Sequence, residues 1–292
     1  MTVHMRVEFE KEIWSMNESA TRKEGLVTYH REGHLGFITL NRPEKLNAIN
    51  MALWNALGTV VDQAGQDTEA RVILVRGEGR CFSAGLDLSP DNEVLSQITG
   101  TPDASQKMAF YKDLRRLHQI HNNLECLRQP TIGVIHGHCI GAGLELALCC
   151  DIRFCSADAK FALPEAKFAI ITDVGGLQRL PQVVGKAHAR EMAFRGHRID
   201  AKRAQAIGLV NDVYPDKEAL DRGAEEIALE IAGNAPLAVQ GAKDVFLLNE
   251  EVPLDRALDY NAAKSSMILP SEDLLEAISA YLQKREAKFK GA

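Results

Sequence analysis

The chain has 292 residues, 46% of them apolar and 25% charged, and a formal net charge of −6 at pH 7. This length is sufficient for a sizeable core, and the acidic balance disfavours nucleic acid or an anionic membrane as a partner. No apolar run reaches the roughly 18 residues that a membrane span needs. The six cysteines lie mostly in apolar segments, which predicts reduced thiols and a cytoplasmic location.

From residue 26 onward, short β-branched runs alternate with amphipathic stretches, which predicts an α/β fold. Residues 1–24 are charged and lack the apolar segment of a secretory signal, so we expect an N-terminal extension. The stretch 87–107 is expected to be irregular, and from about residue 186 the pattern is mostly helical to the end. In chain order, we predict two strands within 26–41, a helix at 51–66, a strand at 71–77, a helix at 107–127, a strand at 131–137, a helix at 145–150, and strands at 151–157 and 160–166.

Two glycine-containing turns follow predicted buried strands and lead into predicted helices. They are CFSAGLDL at 81–88 and CIGAGLEL at 139–146. A helix start leaves backbone N–H groups unpaired, and the helix dipole favours negative charge there. Two such turns facing each other would donate two N–H groups to one oxygen, an oxyanion hole in which the loss of one donor costs about 3–4 kcal/mol. Glu145 would then be placed to move protons, unless it serves only to stabilise its own helix start.

Two other interpretations of these turns are weaker. Gly141, Gly143 and an acid about 20 residues further on, Glu165, half-match a dinucleotide-binding turn, but the third glycine is missing. Ser83 would be a nucleophile only with a distant base, since the chain has no G-x-S-x-G elbow.

Two pairs of histidines raise the question of a metal site. His118 and His121 are one helical turn apart, and His136 and His138 immediately precede the second glycine turn. The sequence proposes no further ligands for either pair, whereas a structural zinc site needs four. We therefore expect no bound metal.

Several blocks resemble, in order and spacing, the crotonase superfamily of enoyl-CoA hydratases and isomerases. The resemblance implies a spiral of repeated ββα units and a helical C-terminal region through which members assemble as trimers or hexamers. We therefore expect a catalytic core at 25–215 and a helical trimerisation region at 216–292. The blocks are LNRPEKLNAIN at 40–50, RVILVRGEGRCFSAGLDL at 71–88, HGHCIGAGLELALCCDIRFCSADAKFALPEA at 136–166, LQRLPQVVG at 177–185 and LQKREAKFKG at 282–291.

The same resemblance implies a site that binds acyl-CoA thioesters. The thioester oxygen would accept the backbone N–H groups of Leu86 and Ala142, and Glu145 and Glu165 would be the acids that act on the substrate. Coenzyme A enters as part of the substrate, and no further cofactor is expected. The residues expected to contact coenzyme A are Lys45, Leu46, Ala48, Ser83, Ala84 and Gly85.

Asp173 indicates a particular reaction within the superfamily. Hydratases usually carry a small residue eight positions after the second glutamate. Glu165 with Asp173, in the stretch TDVGGLQRLP, resembles instead the Δ3,5-Δ2,4-dienoyl-CoA isomerases, in which such a pair shuttles a proton along a conjugated acyl chain. The alternative is that Asp173 caps the helix that follows it. Those isomerases usually have Asp where this chain has Glu145, so hydration of a 2-enoyl-CoA by Glu145 and Glu165 stays open as the second interpretation.

A non-catalytic acyl-CoA-binding protein is the third interpretation, because some superfamily members mainly bind, including RNA binders. The net charge of −6 disfavours RNA, and the pair of glutamates favours catalysis. We therefore expect an isomerase or hydratase that acts on acyl-CoA as a homotrimer or hexamer, with neither nucleic acid nor a membrane as a partner.

Overall fold

The computed structural model describes residues 25–90, 92–95, 100–249 and 252–292, so the expected extension at 1–24 lies outside it. Within the described residues, six strands form the main sheet: β1 Val27–Glu32, β2 Leu35–Leu40, β3 Val72–Gly77, β4 Thr131–Ile135, β6 Ile152–Ser156 and β9 Asp212–Tyr214. Their order across the sheet is β1-β2-β3-β4-β6-β9. β1 and β2 are antiparallel, and the other neighbours are parallel. The predicted α/β class is confirmed.

A smaller sheet lies beside the main one. It consists of β5 His138–Ile140, β7 Lys160–Ala162 and β8 Ile199–Asp200. The strand predicted at 160–166 is therefore too long, because a 3₁₀ turn begins at Glu165. The helical prediction beyond residue 186 is wrong at β8 and β9, which have two and three residues and are too short to show alternation.

Several helices begin where the side chain of the preceding residue accepts one of the first backbone N–H groups. Asn50 accepts the N–H of Leu53, and Asp103 forms a capping box with Gln106, which starts the second helix three residues before the predicted position. The helices of the described chain are α1 Met51–Gln66, α2 Ala104–Glu125, α3 Ala142–Ala147, α4 Gly176–Arg195, α5 Ala201–Ala206, α6 Lys217–Ala232, α7 Pro236–Asn249, α8 Leu254–Ile268 and α9 Glu272–Gln283.

The central strands β2, β3, β4 and β6 of the main sheet are buried on both faces, as is usual for parallel strands. Ile38 and Ile73 point into the larger core, which α1 and α2 complete. Phe37, Leu74 and Val134 point to the opposite face, which α6 covers. Alternate residues along each strand therefore point into different cores. The turns that follow the parallel strands begin at the carboxyl ends of those strands.

Helices α7, α8 and α9 follow the last strand. α7 is joined to the core by Lys243, whose ammonium donates to the carboxylate of Asp151 at 2.8 Å. The expected division at residue 216 stays a prediction, and α6 packs directly on the sheet. None of the helices in the described ranges is long and apolar enough to cross a membrane. The helices α7–α9 expose many large apolar side chains: Phe246, Leu254, Leu258, Met267, Leu274, Leu275, Ile278, Tyr281 and Leu282.

Candidate active site

A cavity of about 620 Å³ lies between the two glycine turns, helices α1 and α2, and the segment that precedes α4. Its walls are mainly apolar, and both its size and lining are typical of a small-molecule site. All three acids singled out in the sequence reach it: Glu145, Glu165 and Asp173. The apolar walls from α1 and α2 are formed by Met51, Trp54, Phe110, Leu114 and Leu117.

The two glycine turns lie against each other, as an oxyanion hole requires. The N–H of Ser83 donates to the carbonyl oxygen of His138 at 2.8 Å, and the N–H of Ile140 donates to the carbonyl oxygen of Ser83 at 3.1 Å. The N–H groups of Leu86 and Ala142 have no acceptor among the described residues, and both residues line the cavity. These two donors are therefore available to one oxygen of a bound molecule.

Gly85 allows the turns to approach this closely. Its φ is +91°, and a Cβ atom at this position would lie 2.6 Å from the carbonyl oxygen of Ile140. A larger residue would be strained and would push the two turns apart.

Glu145 lies in the first turn of α3, but its carboxylate binds the start of a different helix. Its Oε1 accepts the N–H of Val174 at 3.0 Å and the N–H of Gly176 at 2.8 Å. Oε2 accepts no hydrogen bond from the described residues, so it is the oxygen available to a substrate. Burial raises the pKa of Glu145 to about 8 against the effect of these donors, and the charges of Glu165 and Asp173 add to the rise.

Glu165 begins the 3₁₀ turn that follows β7 and reaches over the second glycine turn. Its Oε2 accepts the hydroxyl of Thr172 at 3.1 Å. Its Oε1 lies so close to Gly141, where φ is +52°, that a Cβ atom there would be 2.6 Å away. Burial raises the pKa of Glu165, and hydrogen bonds from its own N–H and from Thr172 partly oppose this rise. Gly141 thus makes room for the acid rather than for a dinucleotide phosphate.

Asp173 does not cap the helix that follows it. The residue at the N-cap of α4 is Gly175, which has no side chain, and the first N–H of the helix donates instead to the distant carboxylate of Glu145. Asp173 is half-buried and lines the cavity. Burial raises the pKa of its carboxyl group, while the nearby His118 lowers it. The capping interpretation is therefore wrong, and the carboxyl group is placed for contact with a bound molecule.

The residues expected to contact coenzyme A lie on two adjoining loops. Ala84 and Gly85 line the cavity. The N–H of Ala84 donates to the carbonyl oxygen of Leu46 at 3.0 Å, which joins the loops. Lys45 is exposed beside this junction, and Ala48 is half-buried. Contact of these residues with coenzyme A stays a prediction.

Ser83 builds the first glycine turn. It is completely buried, its hydroxyl donates to the carbonyl oxygen of Asn47 at 2.8 Å, and it accepts the N–H of Gly85 at 3.1 Å. A nucleophile must reach its substrate, so the nucleophile interpretation is wrong. Contact of Ser83 with coenzyme A stays a prediction.

Three of the four histidines considered for a metal site bind backbone carbonyl groups. His118 donates from Nε2 to the carbonyl oxygen of Asp173 at 2.6 Å, and His121 donates from Nδ1 to that of Val174 at 2.9 Å. His136 also donates to a backbone carbonyl oxygen. In the part of the chain that is described, no three His, Cys, Asp or Glu side chains are grouped as metal ligands would be.

Sequence reasoning missed the residues that hold the acids. Thr172, which binds Glu165, and the N–H groups of Val174 and Gly176, which bind Glu145, all belong to one short segment. The only local signal is the glycine pair at 175–176, which starts a helix without a capping side chain. The sequence does not show that Glu145, an acid 31 residues earlier, accepts the first N–H of this helix.

Comparisons with known proteins agree with this geometry. A sequence model of the family described as "Enoyl-CoA hydratase/isomerase" matches residues 30–292. The peroxisomal Delta(3,5)-Delta(2,4)-dienoyl-CoA isomerase of Arabidopsis thaliana is 37% identical over 253 residues, which cover 86% of this chain and 91% of that protein. The 2,3-dehydroadipyl-CoA hydratase of Escherichia coli (strain K12) is 37% identical over 261 residues, 89% of this chain and 97% of that protein. A crystal structure of enoyl-CoA hydratase from Bacillus anthracis matches with a TM-score of 0.82 at 32% identity, over 91% of this chain and 100% of that one.

The chain belongs to the enoyl-CoA hydratase/isomerase family, and its architecture is the crotonase fold. It is an enzyme of acyl-CoA double-bond chemistry, as the sequence resemblance predicted. The particular similarity to Δ3,5-Δ2,4-dienoyl-CoA isomerases is also confirmed, since mitochondrial isomerases of this name from Dictyostelium discoideum and Mus musculus are 37% and 36% identical to it.

Proposed function

We propose that this enzyme converts 3,5-dienoyl-CoA into 2,4-dienoyl-CoA. The observation that carries the proposal is the position of Asp173, which lines the same cavity as Glu165 and caps no helix. Hydration changes only C2 and C3 of the acyl chain and has no use for a third acid. The identity to several proteins named as dienoyl-CoA isomerases supports the same choice.

The reaction is a proton transfer along a conjugated chain. One acid, in its carboxylate form, removes a proton from C2, and the electrons move onto the thioester oxygen. The N–H groups of Leu86 and Ala142 stabilise this oxyanion. The second acid, in its protonated form, delivers a proton to C6, which leaves double bonds at C2 and C4. No electron leaves the substrate, so the proposed reaction needs no nicotinamide. The two N–H groups stabilise the oxyanion, a role that a Lewis-acidic metal has in other enzymes.

The electrostatics of the two acids suit this division of roles. Burial raises the pKa of both Glu165 and Asp173, and the charge of Asp173 raises the pKa of Glu165 further. Raised pKa values make both groups better able to hold a proton than exposed carboxyl groups, which suits a reaction in which one acid gives a proton and the other takes one.

Hydration of a 2-enoyl-CoA is the second candidate, and Glu145 is the observation that favours it. Glu145 and Glu165 both reach the cavity, and Oε2 of Glu145 accepts no hydrogen bond from the described residues. A water molecule held between these two carboxyl groups would add to C3. The rise in the pKa of Glu145 to about 8 makes it mainly a proton donor at neutral pH.

Asp173→Asn separates the two candidates. We expect this variant to lose 3,5-dienoyl-CoA isomerisation by at least about two orders of magnitude, the usual contribution of a positioned acid or base. Any hydration of a short 2-enoyl-CoA should be spared, because Asn keeps the size of Asp and hydration needs only the two glutamates. Both reactions can be followed by the ultraviolet absorption of the conjugated thioester. If Asp173→Asn keeps its isomerase activity, Asp173 has no part in the reaction. If the wild type hydrates a 2-enoyl-CoA but does not isomerise 3,5-dienoyl-CoA, hydration becomes the leading candidate.

The apolar surface of the C-terminal helices supports an assembly of several copies. Met267, Tyr281 and Leu282 are 80%, 83% and 74% exposed, which is unusual for a monomer when many such residues share one region. We therefore propose a homotrimer or hexamer, without nucleic acid or membrane as a partner. A cytoplasmic location stays a proposal that rests on the buried, unpaired cysteines, and several relatives are named as peroxisomal or mitochondrial.

A further inference from the structure

The segment 172–176 contacts every acid of the site. It carries Asp173, its Thr172 hydroxyl binds Glu165, and its N–H groups at 174 and 176 bind Glu145. Its residues 172–175 lie between the 3₁₀ turn and α4 and have no regular hydrogen-bonded structure of their own, and Gly176 is the first residue of α4. A shift of the segment's backbone would therefore move all three carboxyl groups relative to the substrate.

Two histidines of α2 hold the carbonyl side of this segment. His118 donates from Nε2 to the carbonyl oxygen of Asp173 at 2.6 Å, and His121 donates from Nδ1 to the carbonyl oxygen of Val174 at 2.9 Å. These two carbonyl groups have no other donor among the described residues. Because a carbonyl oxygen only accepts, each contact fixes which ring nitrogen carries the proton.

His121 is suited to a permanent structural contact of this kind. It is completely buried, and burial beside Arg179 lowers its pKa to about 4, so the ring stays neutral at physiological pH. Its Nε2 is buried without a partner in the described chain. A buried polar atom without a partner is unfavourable. The fold accepts this cost at Nε2 of His121, while Nδ1 of the same ring makes the contact with the segment.

We propose that His118 and His121 are positioning residues that clamp the segment 172–176 and thereby set the geometry of the three acids. This inference rests on the proposed function, because it assigns the clamp to the same reaction. Neither histidine touches the substrate in this arrangement, and neither lines the cavity. The two histidines act by holding the backbone of the segment, which carries Asp173 and the N–H groups that bind Glu145.

The fold should survive loss of the clamp, since α2 and α4 are also joined by another contact. Arg179 of α4 donates to both carboxylate oxygens of Glu125 and to the side chain of Asn122, both of α2. Asn122 directly follows His121 and Glu125 lies one turn beyond it, but neither histidine side chain takes part in these contacts. Variants of His118 and His121 can therefore be assayed as folded proteins.

Paired substitutions test whether the donated hydrogen bond is what matters. The amide nitrogen of Gln corresponds to Nε2 of His, and that of Asn corresponds to Nδ1. We compare His118→Leu with His118→Gln, and His121→Leu with His121→Asn, using Gln119→Leu on the exposed side of α2 as the control. We expect the two histidine-to-leucine variants to lower kcat for 3,5-dienoyl-CoA about ten- to a hundredfold, the effect of a misplacement of about 1 Å.

The KM should change little in these variants, and the Gln and Asn variants should recover kcat to within about threefold. Amide hydrogen exchange over residues 172–176 should become faster in the leucine variants only. Equal kcat in the leucine and amide variants would overturn the proposal, whether both are active or both are impaired. If His121→Leu does not fold, the His118 pair decides alone.

Failure of the proposed function gives a different result. A wild-type enzyme that hydrates 2-enoyl-CoA but does not isomerise 3,5-dienoyl-CoA would refute the proposed reaction. The clamp would then be judged by kcat for hydration and by the exchange rates, because Glu145 and Glu165 depend on the same segment. Unchanged exchange in the leucine variants would refute the clamp in either case.

Discussion

Replacement of Glu145 by Gln should make the protein more stable, and increasingly so as the pH rises. Gln keeps an Oε1 that accepts the N–H groups of Val174 and Gly176, and it places an amide where the carboxyl group carries its proton. The substitution therefore removes one buried titratable group with little change in shape. The group is 2% exposed, so its ionised form is poorly solvated in the folded state.

The sign follows from the direction of the pKa change. Burial raises the pKa of Glu145 from 4.5 to about 8 on folding. Between these values the folded protein holds a proton that the unfolded chain has released, so the free energy of unfolding of the wild type falls as the pH rises. The slope is about 1.4 kcal/mol per pH unit, and over the whole interval it amounts to roughly 5 kcal/mol. The free energy of unfolding of the Gln variant does not include this decrease, because Gln does not titrate.

The measurement is urea unfolding of both proteins at several pH values between about 5 and 8, at one protein concentration because subunit association also stabilises the fold. The difference in the free energy of unfolding should grow steadily over this range. Glu230→Gln, at an exposed glutamate of α6, is the matched control and should show no such trend. A difference between Glu145→Gln and wild type that does not depend on pH would show that Glu145 is ionised in the folded protein, and the reasoning would be refuted.

Two further predictions concern the reaction. Glu165→Gln should lower kcat by about two to four orders of magnitude while binding of a saturated acyl-CoA changes little, since the isosteric amide cannot transfer the proton; wild-type turnover in this variant would remove Glu165 from the mechanism. Prolonged dialysis against a chelator should leave the activity unchanged, because two backbone N–H groups supply the electrophile; a large loss of activity would show that a metal takes part.

Much of the fold is encoded in local patterns. The strands β2, β3 and β4 are apolar runs with turns on either side, and α1 and α2 carry helical spacing and recognisable caps, so each can be located from its own residues. β8 and β9 could not be located in this way, because strands of two or three residues exist only through their pairing with distant partners.

The same distinction applies to the site. The sequence and its family resemblance predicted which residues bear the chemistry: two glycine turns with unpaired N–H groups, and the acids at 145, 165 and 173. The structure places all of them at one cavity. The sequence left Asp173 open between a helix cap and a working acid, because both roles suit an aspartate just before a helix. The tertiary structure excludes the cap, since the carboxylate of Glu145 occupies the start of α4 and Asp173 lines the cavity. The role of Asp173 as an acid stays a prediction. The tertiary structure also brought His118 and His121 onto the backbone beside that acid. A local sequence pattern shows which chemical groups a short stretch of chain carries. The hydrogen-bond partners of these groups lie 29–55 residues away in sequence, and the packing of the fold determines which groups meet.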